Sequence, residues 1–154
     1  MITFDREVAF EDVDAAGIVY FARLIGFAHG ALERLFDNAP GGYRAIITKR
    51  GIGFPAVHVT TDFLAPIRYG DTARIVATVR KLGTTSLHAH FAMTRTSDGV
   101  VIATTTHIHV CTTLATMKKL PFPDDIRAAL DWACAGPNLR GGGELLAAIN
   151  ETWR

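Results

Sequence analysis

Cysteine and serine are scarce in this chain, and neither sign of charge is in excess. The two cysteines, Cys111 and Cys134, cannot form a disulfide framework, and we expect both to stay reduced. Neither of the two serines, Ser86 and Ser97, lies in a Gly-x-Ser-x-Gly sequence, which argues against a serine hydrolase of the α/β type. Sixteen basic against fifteen acidic residues leave a formal charge of +1, too small a surplus for binding a nucleic-acid backbone.

Long hydrophobic runs are also absent. No apolar segment approaches the roughly 18 residues that spanning a bilayer requires. The first residues, from Met1 to Glu7, carry charges where a signal peptide would be apolar. We therefore expect a soluble, cytoplasmic protein with no membrane partner. With 154 residues, 49% of them hydrophobic, the chain suits one compact domain with a single core.

Apolar residues recur at spacings of three and four between about Val19 and Phe36. This period predicts a helix with one buried face. The residues that form the stripe are Phe21, Leu24, Ile25, Ala28, Leu32, Leu35 and Phe36. Glycine and proline at positions 40–42 break the chain, and we predict a short helix over Tyr43–Arg50 and another over Asp124–Cys134.

The middle of the chain alternates between apolar and polar residues, which predicts strands. In each of three predicted strands, the apolar residues share one face. These residues are Val57, Val59 and Phe63 in the first, Ala73, Ile75, Ala77 and Val79 in the second, and Leu87, Ala89, Phe91 and Met93 in the third. In the last strand, the apolar residues Val100, Ile102, Ile108 and Val110 share one face. The order is a strand, a long helix and about four antiparallel strands, which predicts an α+β fold with one helix on one face of a sheet.

The segment from Asp12 to Phe21 is the most informative for function. Asp14 stands just before the predicted helix, with Gly17 between them. Free amides in the first turn of a helix carry partial positive charge. They could hold a developing oxyanion while Asp14 attacks a carbonyl carbon or activates a water. The alternative is that Asp12 or Asp14 caps the helix, and spacing alone favours the cap.

The order acid, two small residues, Gly-Ile-Val and two aromatics, present from Asp14 to Phe21, resembles the active-site signature of the 4-hydroxybenzoyl-CoA thioesterase family. This family is a branch of the hotdog-fold acyl-CoA thioesterases. The resemblance covers residues 4–123, and its other elements are Phe54-Pro55, Asp62-Phe63, Pro66, Gly70-Asp71 and the closing strand Thr106–Thr112. It implies an α+β hotdog fold in which an antiparallel sheet wraps around one long central helix. We assign this domain to residues 1–135, and residues 136–154, which lie outside the resemblance, to a C-terminal tail.

The resemblance also implies roles for residues of the motif. Asp14 matches the catalytic carboxylate, as nucleophile or general base. The backbone amide of Phe21 matches the donor that polarises the thioester carbonyl, and Gly17 lets the chain turn onto the helix. Family members dimerise so that two sheets join and each site lies between subunits, so we expect a homodimer, commonly assembled into a homotetramer. No metal or redox cofactor is expected, because coenzyme A is part of the substrate.

The candidate substrate-binding residues are Tyr20, His29 and Phe54. His29 stands where the 4-hydroxybenzoyl enzyme has an aspartate facing the ring hydroxyl, and imidazole can donate or accept one hydrogen bond. Its alternative is a histidine on the helix surface. Phe54 stands where that enzyme has a small polar residue, and its ring would favour an aryl group by stacking. Its alternative is a core position.

The turn over residues 82–86 lacks the arginines that such enzymes present to the phosphates of coenzyme A. Arg80, Lys81, Lys118 and Lys119 are the substitutes that lie nearby in the sequence, and lysine and arginine are suitable phosphate partners. A solvated charge pair is the alternative for Lys118 and Lys119. Binding of coenzyme A is thus implied by the resemblance rather than by these residues.

Other residues offer competing sites. Residues two apart in a strand point the same way, so the strand histidines could converge on zinc if their strands were neighbours in register. These histidines are His88, His90, His107 and His109, and sheet-surface positions are the favoured alternative. Cys111 and Cys134 are each expected to be a buried small apolar residue. Glu33 does not fit the helical glutamate motif of other hotdog enzymes and is expected to face water.

We therefore expect a thioesterase that hydrolyses an aromatic or similarly compact acyl-CoA to the acid and free coenzyme A. Benzoyl- and 4-hydroxybenzoyl-CoA are the first candidates. The strand after Pro55 and the stretch His109-Val110-Cys111 also resemble 1,4-dihydroxy-2-naphthoyl-CoA thioesterases, which gives the second candidate. A short or branched aliphatic acyl-CoA is the third. A hotdog module that binds acyl-CoA without cleaving it is the alternative from another class, and a dehydratase lacks its motif here.

Overall fold

The structure is a computed structural model that describes residues 1–134. That part of the chain contains seven strands, three α-helices and one short 3-10 helix (Phe10–Asp12). The strands are β1 (Ile2–Glu7), β2 (Ile52–Gly53), β3 (Ala56–Phe63), β4 (Thr72–Leu82), β5 (Ser86–Arg95), β6 (Val101–Val110) and β7 (Thr112–Thr113). The helices are α1 (Phe21–Arg34), α2 (Gly42–Arg50) and α3 (Asp124–Cys134). The predicted tail over residues 136–154 lies outside the described residues, and the boundary at residue 135 stays a prediction.

Five strands form one antiparallel sheet in the order β1-β4-β5-β6-β3, and β2 pairs with β7 beside it. Helix α1 packs against the inner face of the sheet through its buried residues Leu24, Phe27, Ala28, Ala31 and Leu32. This is the α+β arrangement that the hotdog resemblance implies, with one long helix held against an antiparallel sheet.

The predicted helices are confirmed with small changes at their ends. Helix α1 begins at Phe21 rather than Val19 and ends at Arg34. The amides of Leu35, Phe36 and Asp37 then bond to carbonyls three residues back, so the chain continues in tight turns rather than in α-helical geometry. Helix α2 begins one residue earlier than predicted, and α3 has the predicted bounds. Among the described residues, no helix combines the length and the apolar character needed to span a membrane.

The predicted inner faces of β4 and β5 are also confirmed, because Ala73, Ile75, Ala77 and Val79 and their counterparts Leu87, Ala89, Phe91 and Met93 are buried. The expected face of β6 is wrong in its second half. Register pairs Leu87 with His109 and Ala89 with His107, so the two histidines share the inner face, and Ile108 points outward opposite His88. The prediction from hydrophobic alternation is wrong here because threonine and histidine, as well as apolar residues, occupy the buried positions of β6.

Strand β3 forms one edge of the sheet, with β6 as its single neighbour. Nearly all of its residues are exposed, including the apolar side chains Val57 (60% exposed), Val59 (40%) and Phe63 (49%). An exposed edge strand with apolar side chains is a template for pairing with another chain. Within residues 1–134, the fold therefore leaves one long edge uncovered along β3, on the side away from β6.

Candidate active site

The segment between β1 and α1 forms a narrow loop closed by a short ladder of backbone contacts. The amide of Tyr20 donates to the carbonyl of Asp12 at 2.9 Å, and Val13 and Val19 form an antiparallel bridge. At the tip, the amide of Asp14 donates to the carbonyl of Ile18 at 3.0 Å. The backbone therefore fixes the position of Asp14 relative to the start of α1.

The side chain of Asp14 is exposed at the tip of this loop. Its Oδ1 accepts a hydrogen bond from the amide of Ala16 at 2.8 Å, a contact within the loop itself. The residue that precedes α1 is Tyr20, and no side chain among the described residues caps the helix there. The cap hypothesis for Asp14 is therefore wrong, and the first-turn amides of α1, including that of Phe21, face no capping side chain from residues 1–134.

Gly17 permits the turn at the loop tip. Its φ is +73°, in the left-handed region where a residue with a Cβ is strained, and no described atom lies within 4 Å of where that Cβ would stand. Glycine is therefore favoured at this position by its backbone conformation and not by a lack of space for a side chain. The guanidinium of Arg68 reaches the carbonyl of Gly17 at 3.5 Å, which places one cation beside the loop.

A groove of about 430 Å³ lies next to Asp14 and the first turn of α1. Apart from Asp14 its lining is apolar: Ile18, Val19, Phe21, Leu24, Phe63, Leu64, Ala65, Pro66 and Ile67. The ring of Phe21 meets that of Phe63 edge-on with centroids 6.0 Å apart. One carboxylate and the amides of a helix start thus border a space suited to an apolar acyl group. The resemblance includes Phe63 and Pro66, but neither it nor any local pattern assigned segment 63–67 to this site.

Asp12 has a different role from Asp14, which the sequence did not reveal. Its side chain is 1% exposed and accepts the amide of Ala9 at 2.9 Å. The guanidinium groups of Arg6 and Arg23 lie 3.4 and 3.9 Å from its carboxylate. Because Arg6 belongs to β1 and Arg23 to α1, this buried carboxylate joins both ends of the loop that carries Asp14.

The predicted substrate-binding residues lie in three different settings. Tyr20 is half-exposed at the start of α1, with its ring 4.7 Å from that of Phe21. His29 is on the helix surface, where its Nε2 lies 3.4 Å from Glu33. Phe54 is only 5% exposed and stacks among other aromatic rings, so it does not border the groove within this chain. Tyr20 lies beside Phe21, which lines the groove, but none of the three predicted residues lines the groove itself.

The four candidate basic residues lie far from Asp14 in the same chain. Arg80 and Lys81 stand near the end of β4, whose first residue, Thr72, lies at the Asp14 end of the sheet. At about 3.3 Å per residue, this separation is roughly 30 Å. Lys118 and Lys119 follow β7, next to the turn that joins β4 to β5. All four are exposed, and one chain does not bring them to the groove.

The competing sites are not assembled by the described residues. His88 and His90 lie opposite Ile108 and Thr106, so they face away from His107 and His109, and the four imidazoles do not converge. His107 and His109 are buried rather than on the sheet surface, which corrects that expectation. Burial raises the pKa of the Cys111 thiol to about 11, which keeps it protonated and unsuited to nucleophilic attack. Cys134 is exposed rather than buried.

Known proteins share this sequence and fold. The family model described as the thioesterase-like superfamily matches residues 8–130. A 1,4-dihydroxy-2-naphthoyl-CoA hydrolase from Nostoc punctiforme is 34% identical over 124 residues, which cover 80% of this chain and 82% of that protein. Another, from Thermosynechococcus vestitus, is 32% identical over 128 residues, covering 82% of this chain and 86% of that one.

Solved structures agree. Slr0204, a 1,4-dihydroxy-2-naphthoyl-CoA thioesterase from Synechocystis, has a TM-score of 0.77 at 27% identity, covering 84% of this chain and 94% of that one. BH1999, a gentisyl-coenzyme A thioesterase, has a TM-score of 0.74 at 27% identity, and the match covers 84% of this chain and 99% of that one. The chain therefore belongs to the thioesterase-like superfamily and is a thioester hydrolase with the hotdog fold.

Proposed function

We propose that the protein hydrolyses an aromatic acyl-CoA to the free acid and coenzyme A, with 1,4-dihydroxy-2-naphthoyl-CoA as the first candidate substrate. The observation that carries the proposal is the groove shared by the exposed Asp14 and the first turn of α1. Its apolar lining suits an aryl group, and its one carboxylate lies at the end where the uncapped amides of α1 begin.

The order of substrates differs from the one expected from the sequence, where benzoyl- and 4-hydroxybenzoyl-CoA came first. Relatives at 34% and 32% identity are named for 1,4-dihydroxy-2-naphthoyl-CoA, which favours the second candidate. The gentisyl-CoA thioesterase among the structural relatives supports a hydroxylated aromatic ring more generally. Benzoyl-type esters and short aliphatic esters follow in that order.

In the mechanism, Asp14 acts on the thioester carbonyl carbon in one of two ways. As a nucleophile, its carboxylate forms a mixed anhydride and expels the thiolate of coenzyme A, and water then cleaves the anhydride to the acid and free Asp14. As a general base, it takes a proton from the water that attacks the carbonyl, and that proton reaches the departing thiolate. In both, the amide of Phe21 donates to the carbonyl oxygen as negative charge develops there.

The proposed assembly is a homodimer in which two β3 edges pair, and a homotetramer is built from two such dimers. The exposed apolar edge of β3 supports this pairing. Antiparallel pairing across a two-fold axis inverts one sheet relative to the other. The end of the partner sheet that carries Arg80, Lys81, Lys118 and Lys119 then approaches the Asp14 end, where the phosphates of coenzyme A need cations.

The test is thiol release, followed with a colorimetric thiol reagent. The panel holds 1,4-dihydroxy-2-naphthoyl-, 4-hydroxybenzoyl-, benzoyl-, hexanoyl- and acetyl-CoA. We expect the highest kcat/KM with 1,4-dihydroxy-2-naphthoyl-CoA, and a maximum with an aliphatic ester would contradict the aromatic assignment.

The same panel distinguishes an enzyme from a module that only binds acyl-CoA. Asp14→Asn is expected to keep ester affinity and lose turnover, whereas Asp37→Asn, a change of another exposed carboxylate, is expected to keep both. Measurable binding without thiol release from any ester by the unchanged protein would support the binding module instead.

A further inference from the structure

One buried residue contacts the start of α1 on both sides of the amide assigned to the thioester oxygen. The backbone carbonyl of Asp12 accepts the amide of Tyr20 at 2.9 Å, and its carboxylate Oδ1 lies 3.9 Å from the Nε of Arg23. Tyr20 precedes Phe21, and Arg23 follows Phe21 by two residues. The amide of Phe21 therefore lies between two residues that Asp12 holds.

These contacts fix the start of α1 without using its free amides. No side chain from residues 1–134 caps the helix. A capping side chain accepts a hydrogen bond from an amide of the first turn and so competes with any other acceptor there. Asp12 instead contacts the amide of Tyr20, before the helix, and the side chain of Arg23. The amide of Phe21 is thus left available to the carbonyl oxygen of a thioester.

The position of Asp12 is itself fixed by burial and by β1. Its side chain is 1% exposed, and its Oδ2 accepts the amide of Ala9 at 2.9 Å. The guanidinium of Arg6, from β1, lies 3.4 Å from the same oxygen. Buried carboxylates persist where charge partners and hydrogen bonds replace water. Asp12 therefore fixes the start of the helix relative to the sheet.

Asp14 belongs to the same ladder of backbone contacts. Beyond Asp12, Val13 bridges to Val19, and the amide of Asp14 donates to the carbonyl of Ile18 at 3.0 Å. Attack on a thioester needs the carboxylate and the oxyanion donor on one carbonyl group at the same moment, and a displacement of about 1 Å lowers the rate strongly. Asp12 stands at the base of the ladder that sets this geometry.

The charges around Asp12 also suit a developing oxyanion. Two guanidinium groups, of Arg6 and Arg23, lie within 4 Å of one carboxylate, so two positive charges against one negative leave the cluster at +1. The first turn of α1 contains no acidic residue, although the helix dipole favours anions there. Arg23 stands in that turn against the dipole, and its pairing with Asp12 offsets this.

We propose that Asp12 positions the amide of Phe21 for the thioester carbonyl, through its own carbonyl and its ion pair with Arg23. This rests on the proposed function. Asp12 is a positioning residue, because it acts on the reaction through Phe21 and does not touch the ester. Loss of its charge releases Arg23 and the first turn of α1, so the amide stabilises the oxyanion less well while the ester still binds.

Steady-state kinetics with 1,4-dihydroxy-2-naphthoyl-CoA give the first test. Asp12→Asn keeps the shape of the side chain, and Arg23→Gln changes a half-exposed residue, so both proteins are expected to fold. We expect each to lower kcat roughly tenfold and to keep KM within about twofold, because the amide acts mainly in the transition state. Arg23→Lys keeps the cation and is expected to keep most of kcat.

The matched control is Arg74→Gln. Arg74 is 51% exposed, against 49% for Arg23, and pairs with Asp5 on the outer face of the sheet. Its loss is expected to keep kcat. Values of kcat for Asp12→Asn and Arg23→Gln equal to that of the control would overturn the proposal.

The stretching frequency of the ester carbonyl separates positioning from a general loss of stability. Asp14→Asn is expected to bind the ester without cleaving it, and a hydrogen bond from the amide of Phe21 lowers the C=O frequency of the bound ester. Infrared difference spectra with a ¹³C-labelled carbonyl measure this shift. We expect a smaller shift when Asp12→Asn is added to Asp14→Asn, and no change when Arg74→Gln is added. Equal shifts in the three proteins would overturn the proposal.

The two measurements also distinguish this proposal from the proposed function. A carbonyl shift that depends on Asp12, in a protein that releases no thiol, would retract hydrolysis and keep the positioning role. Thiol release that needs Asp14 but is unaffected by Asp12→Asn and Arg23→Gln would keep the function and overturn the positioning role. Failure of every ester to bind would overturn both.

Discussion

The loop that carries Asp14 and the inner face of β6 place polar groups in opposite ways. Asp14 is exposed, and backbone hydrogen bonds between residues 12 and 20 hold it in position. His107 and His109 are buried, and their Nε2 atoms have no partner within residues 1–134. An exposed side chain on a loop that backbone hydrogen bonds hold in place can be substituted without loss of core packing. Protonation of a buried imidazole, in contrast, lowers the stability of the fold. The two regions therefore separate activity from stability.

The largest expected effect is on activity at the loop. Asp14→Asn removes the proposed nucleophile or general base, and we expect kcat to fall by a factor of about 10³. The melting temperature is expected to stay within about 1 °C, because the exposed side chain bonds only within its own loop in the part of the chain that the structure describes. Calorimetry beside steady-state kinetics checks both. A large loss of stability in this variant would break the contrast between the two regions.

Acidification is expected to destabilise the fold through the buried histidines of β6. Burial, with smaller contributions from the neighbouring imidazoles of His109 and His29, lowers the pKa of His107 from 6.5 to about 4. The unfolded chain therefore binds more protons below pH 6.5, so stability is full above that pH and is lost as the pH falls towards 4.

This loss corresponds to roughly 3 kcal/mol for His107 at about pH 4 and below. Urea unfolding at about pH 7 and about pH 4 measures it. His107→Leu should reduce the difference in the free energy of unfolding between the two pH values, and an identical difference in that variant would assign the acid sensitivity to other groups.

A smaller effect is expected at the base of the loop. Asp12→Ala removes the buried carboxylate that holds Ala9, Arg6 and Arg23, and we expect a loss of about 2 kcal/mol, or roughly 4–8 °C in melting temperature. Asp98→Ala is the control, since Asp98 also pairs with an arginine and a backbone amide but is exposed, and its loss should be smaller. Equal losses in the two variants would show that burial of Asp12 adds nothing.

The smallest expected effect comes from changing the backbone geometry at the tip of the loop that carries Asp14. Gly17 and Gly99 share a φ of +73°, and each has open space where a Cβ would stand, so alanine at either should cost about 1 kcal/mol from backbone strain. Gly17→Ala is expected to lower kcat severalfold because the strain lies at the tip that presents Asp14, and Gly99→Ala is expected to keep kcat. Similar kcat values for the two variants would mean that the tip tolerates distortion.

The parts of the fold that depend on local periodicity could be predicted from the sequence. The stripe of α1 and the alternation in β4 and β5 follow from the periods of helix and strand. Both are found, except that Phe21 of the predicted stripe is exposed and Ile25 is only partly buried. The face of β6 could not be predicted in this way, because register with β5 and not local hydrophobicity decides that His107 and His109 point inward.

The candidate site also has a part that the local sequence predicts and a part that depends on tertiary packing. The motif from Asp14 to Phe21 is contiguous, so it was found in the sequence. The burial of Asp12 was not, since it depends on two arginines from separate elements. The groove also needs the segment 63–67, which the fold brings back to the start of α1 from far along the chain. The local pattern thus points to the candidate catalytic carboxylate, and tertiary packing decides which residues surround it.

Single-turnover hydrolysis of 1,4-dihydroxy-2-naphthoyl-CoA with enzyme in excess tests the role of Asp14 most directly, because it isolates the chemical step from product release. We expect the ester to bind Asp14→Asn as it binds the unchanged enzyme, and the rate constant of thioester cleavage to fall by about 10³. A rate constant within tenfold of the unchanged enzyme would contradict the assignment of Asp14 as the catalytic carboxylate.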